Sequence, residues 1–413
     1  MNPIRTPKLP LPPPLSGQVK NSFAHLTITE RIPRIGRETL AENQFPPEAV
    51  ERLEALIAEI PAQAVRRLQD PGAPDLTEWD AYVQPYLSAH WLEIPWFFAE
   101  EYFYRRILEA SGYFQPGVTW KLDPFASQKS KILLASKSAI LALGGMLDRA
   151  LAAHSQDKKA QQEILYHLLL RSAWGNQGDL SIWSVEEERP DHDQIDSQEA
   201  HLLINQAAEL AVFILDGKPL ARVDLILDNC GPELIGDLGL VDYLLSAGLA
   251  QSVHLHAKAH PTYVSDVLIK DIQPTIEHFN SLPDSHAQAW AHRLTGQIAQ
   301  GKLQFKQDFF WNSPLSFWEM PERIHQEMST ASLVISKGDA NYRRLVGDLY
   351  WDPATPFADV VGYFPAPLAA LRVLKAEVVV GLPPGKAGEM DQADTDWMIN
   401  GKWGVIQFLP QAM

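Results

Sequence analysis

Val50, Leu53, Leu56, Ile57 and Ile60 recur at spacings of three and four behind Pro47, which predicts an amphipathic helix with a proline at its start. The segment WFFAEEYFYRRILEASG follows Pro95 and stops at Gly112, and reads as a second helix. KSKILLASKSAILALGGML and AQQEILYHLLLRSAW extend the helical pattern, and strand-type alternation is absent before about residue 210. The aromatic stretch Trp96–Tyr104 suits core packing better than a ligand-facing wall.

The pattern then changes. Short apolar runs, RVDLILDN (222–229), SVHLHAKA (252–259), SLVISKGD (332–339), EVVVGL (377–382) and GVIQFL (404–409), end in polar or glycine-containing residues. A helical stripe of Leu238, Val241, Leu244, Leu245 and Leu249 follows the first run. Strands alternating with helices predict a parallel sheet covered on both faces. The expected fold class is α/β: a helical N-terminal region packed on a C-terminal three-layer α/β/α domain with a largely parallel sheet. The expected division is a proline-rich arm over 1–20, a mainly helical domain over 21–205, and an α/β domain over 206–413 that binds metal and substrate. The arm's prolines favour an extended segment, draped or mobile, over a proline-motif ligand.

Composition narrows the class. With 413 residues, 46% hydrophobic, the chain can bury a large core without crosslinks. Its one cysteine, Cys230, excludes an intramolecular disulfide and a cysteine-rich metal site, which suits a reducing compartment. No run approaches the ~20 apolar residues of a membrane span, and the N-terminus has no signal-peptide core. A cytoplasmic protein is expected. The formal net charge of −16 repels nucleic acid and anionic membranes at long range, so neither is an expected partner. Protein partners are left open. An anionic substrate would need a local positive site.

Ligand sites in open α/β sheets lie at the carboxyl ends of strands. Asp228 and Asn229 end the first run, ahead of Gly231 and a helix. Adjacent oxygen-bearing side chains there suit a hard cation, or equally an N-cap. Asp266, in KAHPTYVSDV, follows the second run and offers a further carboxylate, or a cap; Lys258 and His260 beside it offer phosphate binding or simple solvation. SKGDANYRRLVGD follows the third run and gathers Lys337, Asp339, Asn341 and Arg343, a set that includes phosphate-binding chemistry but also suits a charged helix start. Arg372 and Lys375, three residues apart ahead of EVVVGL, suit one face of a helical turn. Gly175, Asn176, Gly178 and Asp179 make a polar turn between the halves, and the acidic stretch 184–199 reads as a solvated loop.

RSAWGNQGDLS, LDNCGPEL, KAHPTYVSD, KGDANYRRLVGD and LRVLKAEVVVGL together resemble the DUF89 family of damage-control phosphatases, its third subfamily in particular. SFAHLTITERIPRI, EEYFYRRI and DPFASQKSK extend the resemblance to nearly the whole chain. It implies metal-dependent hydrolysis of small phosphate monoesters, typically sugar phosphates such as fructose 1-phosphate or fructose 6-phosphate, with Mn²⁺, Mg²⁺, Co²⁺ or Ni²⁺. The family's catalytic and metal-binding residues fall on Asp228, Asn229 and Asp266. Its substrate residues fall on Asp339, Ala340, Asn341, Tyr342, Arg343 and Lys375, with Asn176 in the polar turn. Glu233 falls on an acidic residue assigned to S-adenosylmethionine in the subfamily's methyltransferase description. The subfamily's RTxK motif reads Arg372-Val373-Leu374-Lys375, so a threonine hydroxyl is missing at Val373. That departure bears on sugar preference more than on phosphate chemistry, because Lys375 remains.

The expected mechanism places a cation on Asp228, Asn229 and Asp266, and the phosphate and sugar on Lys375 and residues 339–343. Water and Asp228 are the alternative nucleophiles. Two rival readings are an S-adenosylmethionine-dependent carboxyl methyltransferase and a non-catalytic sugar-phosphate-binding protein. The chain has no G-x-G strand–turn–helix loop to favour the methyltransferase.

Overall fold

The computed structural model describes residues 6–152, 157–175 and 199–410. Asn176, with Gly178 and Asp179, lies outside the described residues, as does nearly all of the acidic stretch 184–199.

Seven strands form one sheet: β1 (Leu202–Asn205), β2 (Val223–Ile226), β3 (Val253–Lys258), β4 (Leu303–Asp308), β5 (Leu333–Lys337), β6 (Leu368–Val373) and β7 (Gly404–Leu409). Their order is β1-β7-β6-β5-β2-β3-β4, and every pair is parallel except β6 with β7. Side chains alternate between two apolar layers. Ile226, Val334, Leu368 and Ala370 face one; Val223, Leu225, Leu333, Ile335, Ala369 and Leu371 face the other. Burial on both faces explains why these strands read as continuous apolar runs.

Three runs became strands as expected, and so did GVIQFL. EVVVGL did not: residues 377–382 form a buried loop, and the strand is the preceding LAALRV, which contains Arg372. The loop's backbone is satisfied by neighbouring loop carbonyls and by side chains rather than by a ladder. Arg372 Nη2 donates to Ala376 O at 3.1 Å, Val380 N donates to Tyr342 Oη at 3.2 Å, and Gln407 Nε2 donates to Val380 O at 2.8 Å. Arg372 and Lys375 therefore do not share a helical turn. β1 and β4 gave no recognised apolar run because they are the two edge strands and only partly buried. β1 also places a strand before residue 210.

The 205/206 division does not separate two bodies. Helices Lys137–Ala152 and Lys158–Trp174 pack on helix Pro232–Ser246, and β1 pairs with β7. A parallel sheet needs helices on both faces, and here the N-terminal half supplies part of each cover. The predicted helix over KSKILLASKSAILALGGML is two helices, Ala126–Ala135 and Lys137–Ala152, bent by 56°. No single helix among the described residues is long and apolar enough to cross a membrane.

The proline-rich arm is draped and pinned. Leu15 N donates to Asp348 O at 3.0 Å, Trp96 N donates to Leu15 O at 2.8 Å, and the Leu15 side chain is fully buried. The arm thus fixes the start of helix Trp96–Ser111, whose residues are all buried.

Candidate functional site

β3 and β4 follow β2 to one side of the sheet, while β5 and β6 lie on the other, so the topology reverses between β2 and β5. A cleft of about 360 Å³ opens at the carboxyl ends of these strands. Asp228 and Asn229 reach it after β2, Tyr263 to Asp266 after β3, Asp339, Ala340 and Arg343 after β5, and Lys375 after β6. The position is where a doubly wound sheet leaves a crevice between diverging connections.

Backbone pairing sets Asp228, Asn229 and Asp266 side by side. Asn229 and Asp266 form an antiparallel bridge, Val267 N donates to Asp228 O at 2.8 Å, and Cys230 N donates to Ser265 O at 2.7 Å. Tyr263 and Val264 adopt φ of 43° and 64°, a left-handed turn that side chains of their bulk disfavour. This strain lies at the segment that carries Asp266 to the cleft. Gly338 has φ +81°, and a Cβ there would stand 1.9 Å from Asp228 Oδ2. Only glycine lets the turn after β5 pass the Asp228 carboxylate.

The side chains interlock. Asn229 Nδ2 donates to Asp228 Oδ2 at 2.6 Å and to Glu233 Oε2 at 2.8 Å, while Ser265 Oγ donates to Asn229 Oδ1 at 2.6 Å. Lys258 Nζ lies 3.5 Å from Asp266 Oδ2. Burial, then the charges of Glu233 and Asp266, push the Asp228 carboxyl well above its ordinary range. Burial pushes Asp266 up to about 6 against the pull of Lys258 and Lys129. Crowded carboxylates of this kind are what a cation would discharge. The donors fit a hard divalent ion: two carboxylates and an amide oxygen that keeps one lone pair beyond its bond from Ser265. Among the described residues no three His, Cys, Asp or Glu side chains are gathered as a metal site, so a third side-chain ligand beside Asp228 and Asp266 would have to be the Asn229 amide.

The 339–343 segment divides by helical geometry. Asp339, Ala340 and Arg343 line the cleft, whereas Asn341 and Tyr342 do not. Asn341 Nδ2 donates to Leu227 O at 3.0 Å and Lys337 O at 2.8 Å, and Tyr342 Oη donates to Gln407 Oε1 at 2.9 Å. Asn341, on the far side of helix Gly338–Val346, braces the ends of β2 and β5, while Tyr342, on its flank, ties β7 to the 377–382 loop. Asp339 is committed to Arg372 (2.7 Å) and to Lys375 N (3.1 Å); burial raises its carboxyl, but Arg372 and Arg343 outweigh this and hold it below the usual range. Arg343 is held between Asp348, at 2.7 Å, and Glu100, with its guanidinium 3.8 Å from the Trp96 ring centre. Lys375 is half-buried and has no ion pair with another described residue.

Other polar residues near the strand ends are structural. Lys337 is buried against Asp237 at 2.9 Å and Ser172 O. His260 lies away from the cleft, beside Asp75 at 3.6 Å, and burial lowers it to about 4. Glu233 is buried behind Asn229 and does not line the cleft. Val373 packs in the apolar layer opposite the Tyr342 side of β6 and does not line the cleft either, so its missing hydroxyl concerns packing there rather than a sugar contact.

The far wall comes from the N-terminal half. Arg31, Arg34 and Ile35 line it, with Trp96, Glu100 and Tyr104 from helix Trp96–Ser111. The aromatic stretch is thus mostly core, yet its i, i+4, i+8 stripe faces the cleft. Sequence reading missed Arg31 and Arg34, because arginines spaced on a helix are usually a solvated face. The available signal was their position in a segment, SFAHLTITERIPRI, whose other face is apolar.

The chain matches the family model of the damage-control phosphatase ARMT1-like domain over residues 27–390. It is 33% identical over 430 residues to the damage-control phosphatase ARMT1 of Rattus norvegicus, covering 95% of this chain and 98% of that one. It is 32% identical over 437 residues to the Danio rerio protein of that name, covering 96% and 97%, respectively. The Homo sapiens protein is 31% identical over 436 residues, with 96% and 98% covered. The solved structure of a DUF89 family protein from Pyrococcus horikoshii aligns over 94% of this chain and 98% of that one, with 13% identity and a TM-score of 0.46.

Proposed function

The chain belongs to the damage-control phosphatase ARMT1-like family, and from that premise we propose that it is a divalent-metal-dependent phosphatase of small phosphate monoesters, sugar phosphates such as fructose 1-phosphate and fructose 6-phosphate among them. The observation that carries this reading is the meeting of Asp228, Asn229 and Asp266 with Lys375 in one cleft at the sheet's switch point.

In the proposed mechanism Asp228, Asn229 and Asp266 hold the cation, which when bound polarises the phosphoryl group and makes water a stronger acid. Lys375 binds a phosphate oxygen as a point charge. The first turn of helix Gly338–Val346 offers its free N–H groups beside Asp228. Asp339 does not contact phosphate; it fixes the backbone at Lys375 and, through Arg372, the loop beyond. Asp228 orients or performs the attack, and trapping a phospho-enzyme, or finding none, decides which. Positioning and charge stabilisation of this kind account for most of phosphoryl transfer. Glu233, the acid implicated in the methyltransferase reading, is occupied in holding Asn229.

The test is phosphate release from a panel of sugar phosphates with Mg²⁺, Mn²⁺, Co²⁺ or Ni²⁺. Asp228→Ala and Asp266→Ala should each lower kcat by about 10³-fold or more. Inactivity with every metal, or full activity in both variants, would overturn the proposal.

A further inference from the structure

The reading above uses one wall of the cleft. The opposite wall has a construction of its own. A π-helical turn, Thr27–Arg31, runs into helix Ile32–Glu42, with Pro33 in its first turn and Ile32 N donating to Thr27 O. Ile28, Ile32 and Ile35 are buried and anchor this segment to the core. Inserted π turns recur where a helix must aim side chains. Here Arg31 and Arg34, three residues apart, line the cleft facing Asp228 and Lys375. Arg31 has no carboxylate within ion-pair distance among the described residues, and Arg34 has only Glu38, loosely, at 3.7 Å. Arg343, in contrast, is already neutralised by Asp348 and Glu100.

On a chain of net charge −16, two guanidinium groups at a ligand cleft, one feeling only the charge of the Arg343-bound Glu100 and the other only the loose Glu38 pair, leave room for an anionic counterpart. A single phosphate is accounted for by the Asp228 and Lys375 end. Arg31 and Arg34 are solvent-accessible at the rim of the cleft, and guanidinium forks there match carboxylate and phosphate oxygens. We propose that Arg31 and Arg34 form a subsite for a second anionic group, so that the favoured substrates are phosphate monoesters carrying another phosphate or a carboxylate at the far end of a short polyol or sugar. This inference rests on the phosphatase reading.

The test compares fructose 6-phosphate with fructose 1,6-bisphosphate and 6-phosphogluconate on the wild type, Arg31→Gln, Arg34→Gln and Arg31→Lys, with thermal melts to check folding. Wild-type kcat/KM should be at least tenfold higher for a doubly anionic substrate, and which of the two gains identifies the second group. In the glutamine variants that ratio should fall toward one, through a higher KM for the doubly anionic compound, and Arg31→Lys should restore part of it. If the wild type hydrolyses fructose 6-phosphate with no preference for either doubly anionic compound, the subsite is refuted and the phosphatase reading stands. Equal losses on all substrates in the glutamine variants would also refute it. If no compound is hydrolysed the phosphatase reading falls, and calorimetric binding of the same three compounds decides the subsite: tighter binding of a doubly anionic compound, lost in Arg31→Gln, supports it, and equal binding refutes it.

Discussion

Glu101 stands behind the cleft on the central helix, 1% exposed, accepting a hydrogen bond from Thr262 Oγ1 at 3.2 Å. Burial, with Asp266 adding to it, pushes its carboxyl up to about 8 against the pull of Lys258 and Arg344. An acid raised in the folded state binds more protons there than in the unfolded chain, so its contribution to stability is present at low pH. That contribution is lost as pH climbs from the ordinary range near 4.5 to about 8. Glu101→Gln should abolish this loss, leaving the variant more stable than wild type at pH 9 by an amount on the order of 4 kcal/mol, and little different at pH 4. Urea denaturation at the two pH values measures it, and parallel pH profiles would contradict the assignment. Asp228 illustrates a different residue-scale limit. Its type and strand-end position were visible in the sequence, but its crowding by Asp266 arises only when separate connections meet.

Among the elements, the N-terminal arm takes the draped form of the two that its prolines left open. Where it docks was not legible, because polyproline conformation carries no signal for where it lies. Leu15, fully buried, sits between the 348–350 turn and the start of helix Trp96–Ser111. Asp348 links that turn to the cleft, since it also holds Arg343 and accepts from Phe97 N at 3.1 Å. Leu15→Ala should cost about 2–5 kcal/mol, as large-to-small core changes do, and should loosen Arg343 at the same time. A denaturation midpoint unchanged from wild type would mean that the arm merely rests on the surface. β6 gives the converse case. Its apolar run was eclipsed by the valine run after it, and hydrophobicity does not distinguish a central strand from a buried loop whose carbonyls are bound by arginine and glutamine side chains.

Over the whole molecule, the cleft gathers residues from positions 31 to 375, with the cationic Arg31, Arg34 and Lys375 surrounding raised carboxylates on an acidic protein. A cation held at Asp228, Asn229 and Asp266, as proposed, would stabilise the fold by mass action, because the unfolded chain does not assemble that donor set. Mn²⁺ or Mg²⁺ at ~100-fold its dissociation constant should add about 2.7 kcal/mol. EDTA should remove the gain, and the double variant Asp228→Ala, Asp266→Ala should show none. Calorimetric melting checks this, and an equal shift in the double variant would place the cation elsewhere.

The sequence alone determined the class of fold and four of the seven strands, and offered Asp228, Asn229 and Asp266 as candidates at strand ends, because buried strands announce themselves as apolar runs and chemistry collects at their ends. Its motif resemblance fixed the family. Tertiary structure decided what has no local signature. It turned Asn341 and Tyr342 away from the cleft while keeping Asp339 and Arg343 in it, by the angular spacing of one helix against the sheet. It wove the first 205 residues into both covers of the sheet, because that sheet buries both faces. It also brought Arg31 and Arg34 across from Asp228 and Lys375, by burying the isoleucines beside them in a core shared by both halves of the chain.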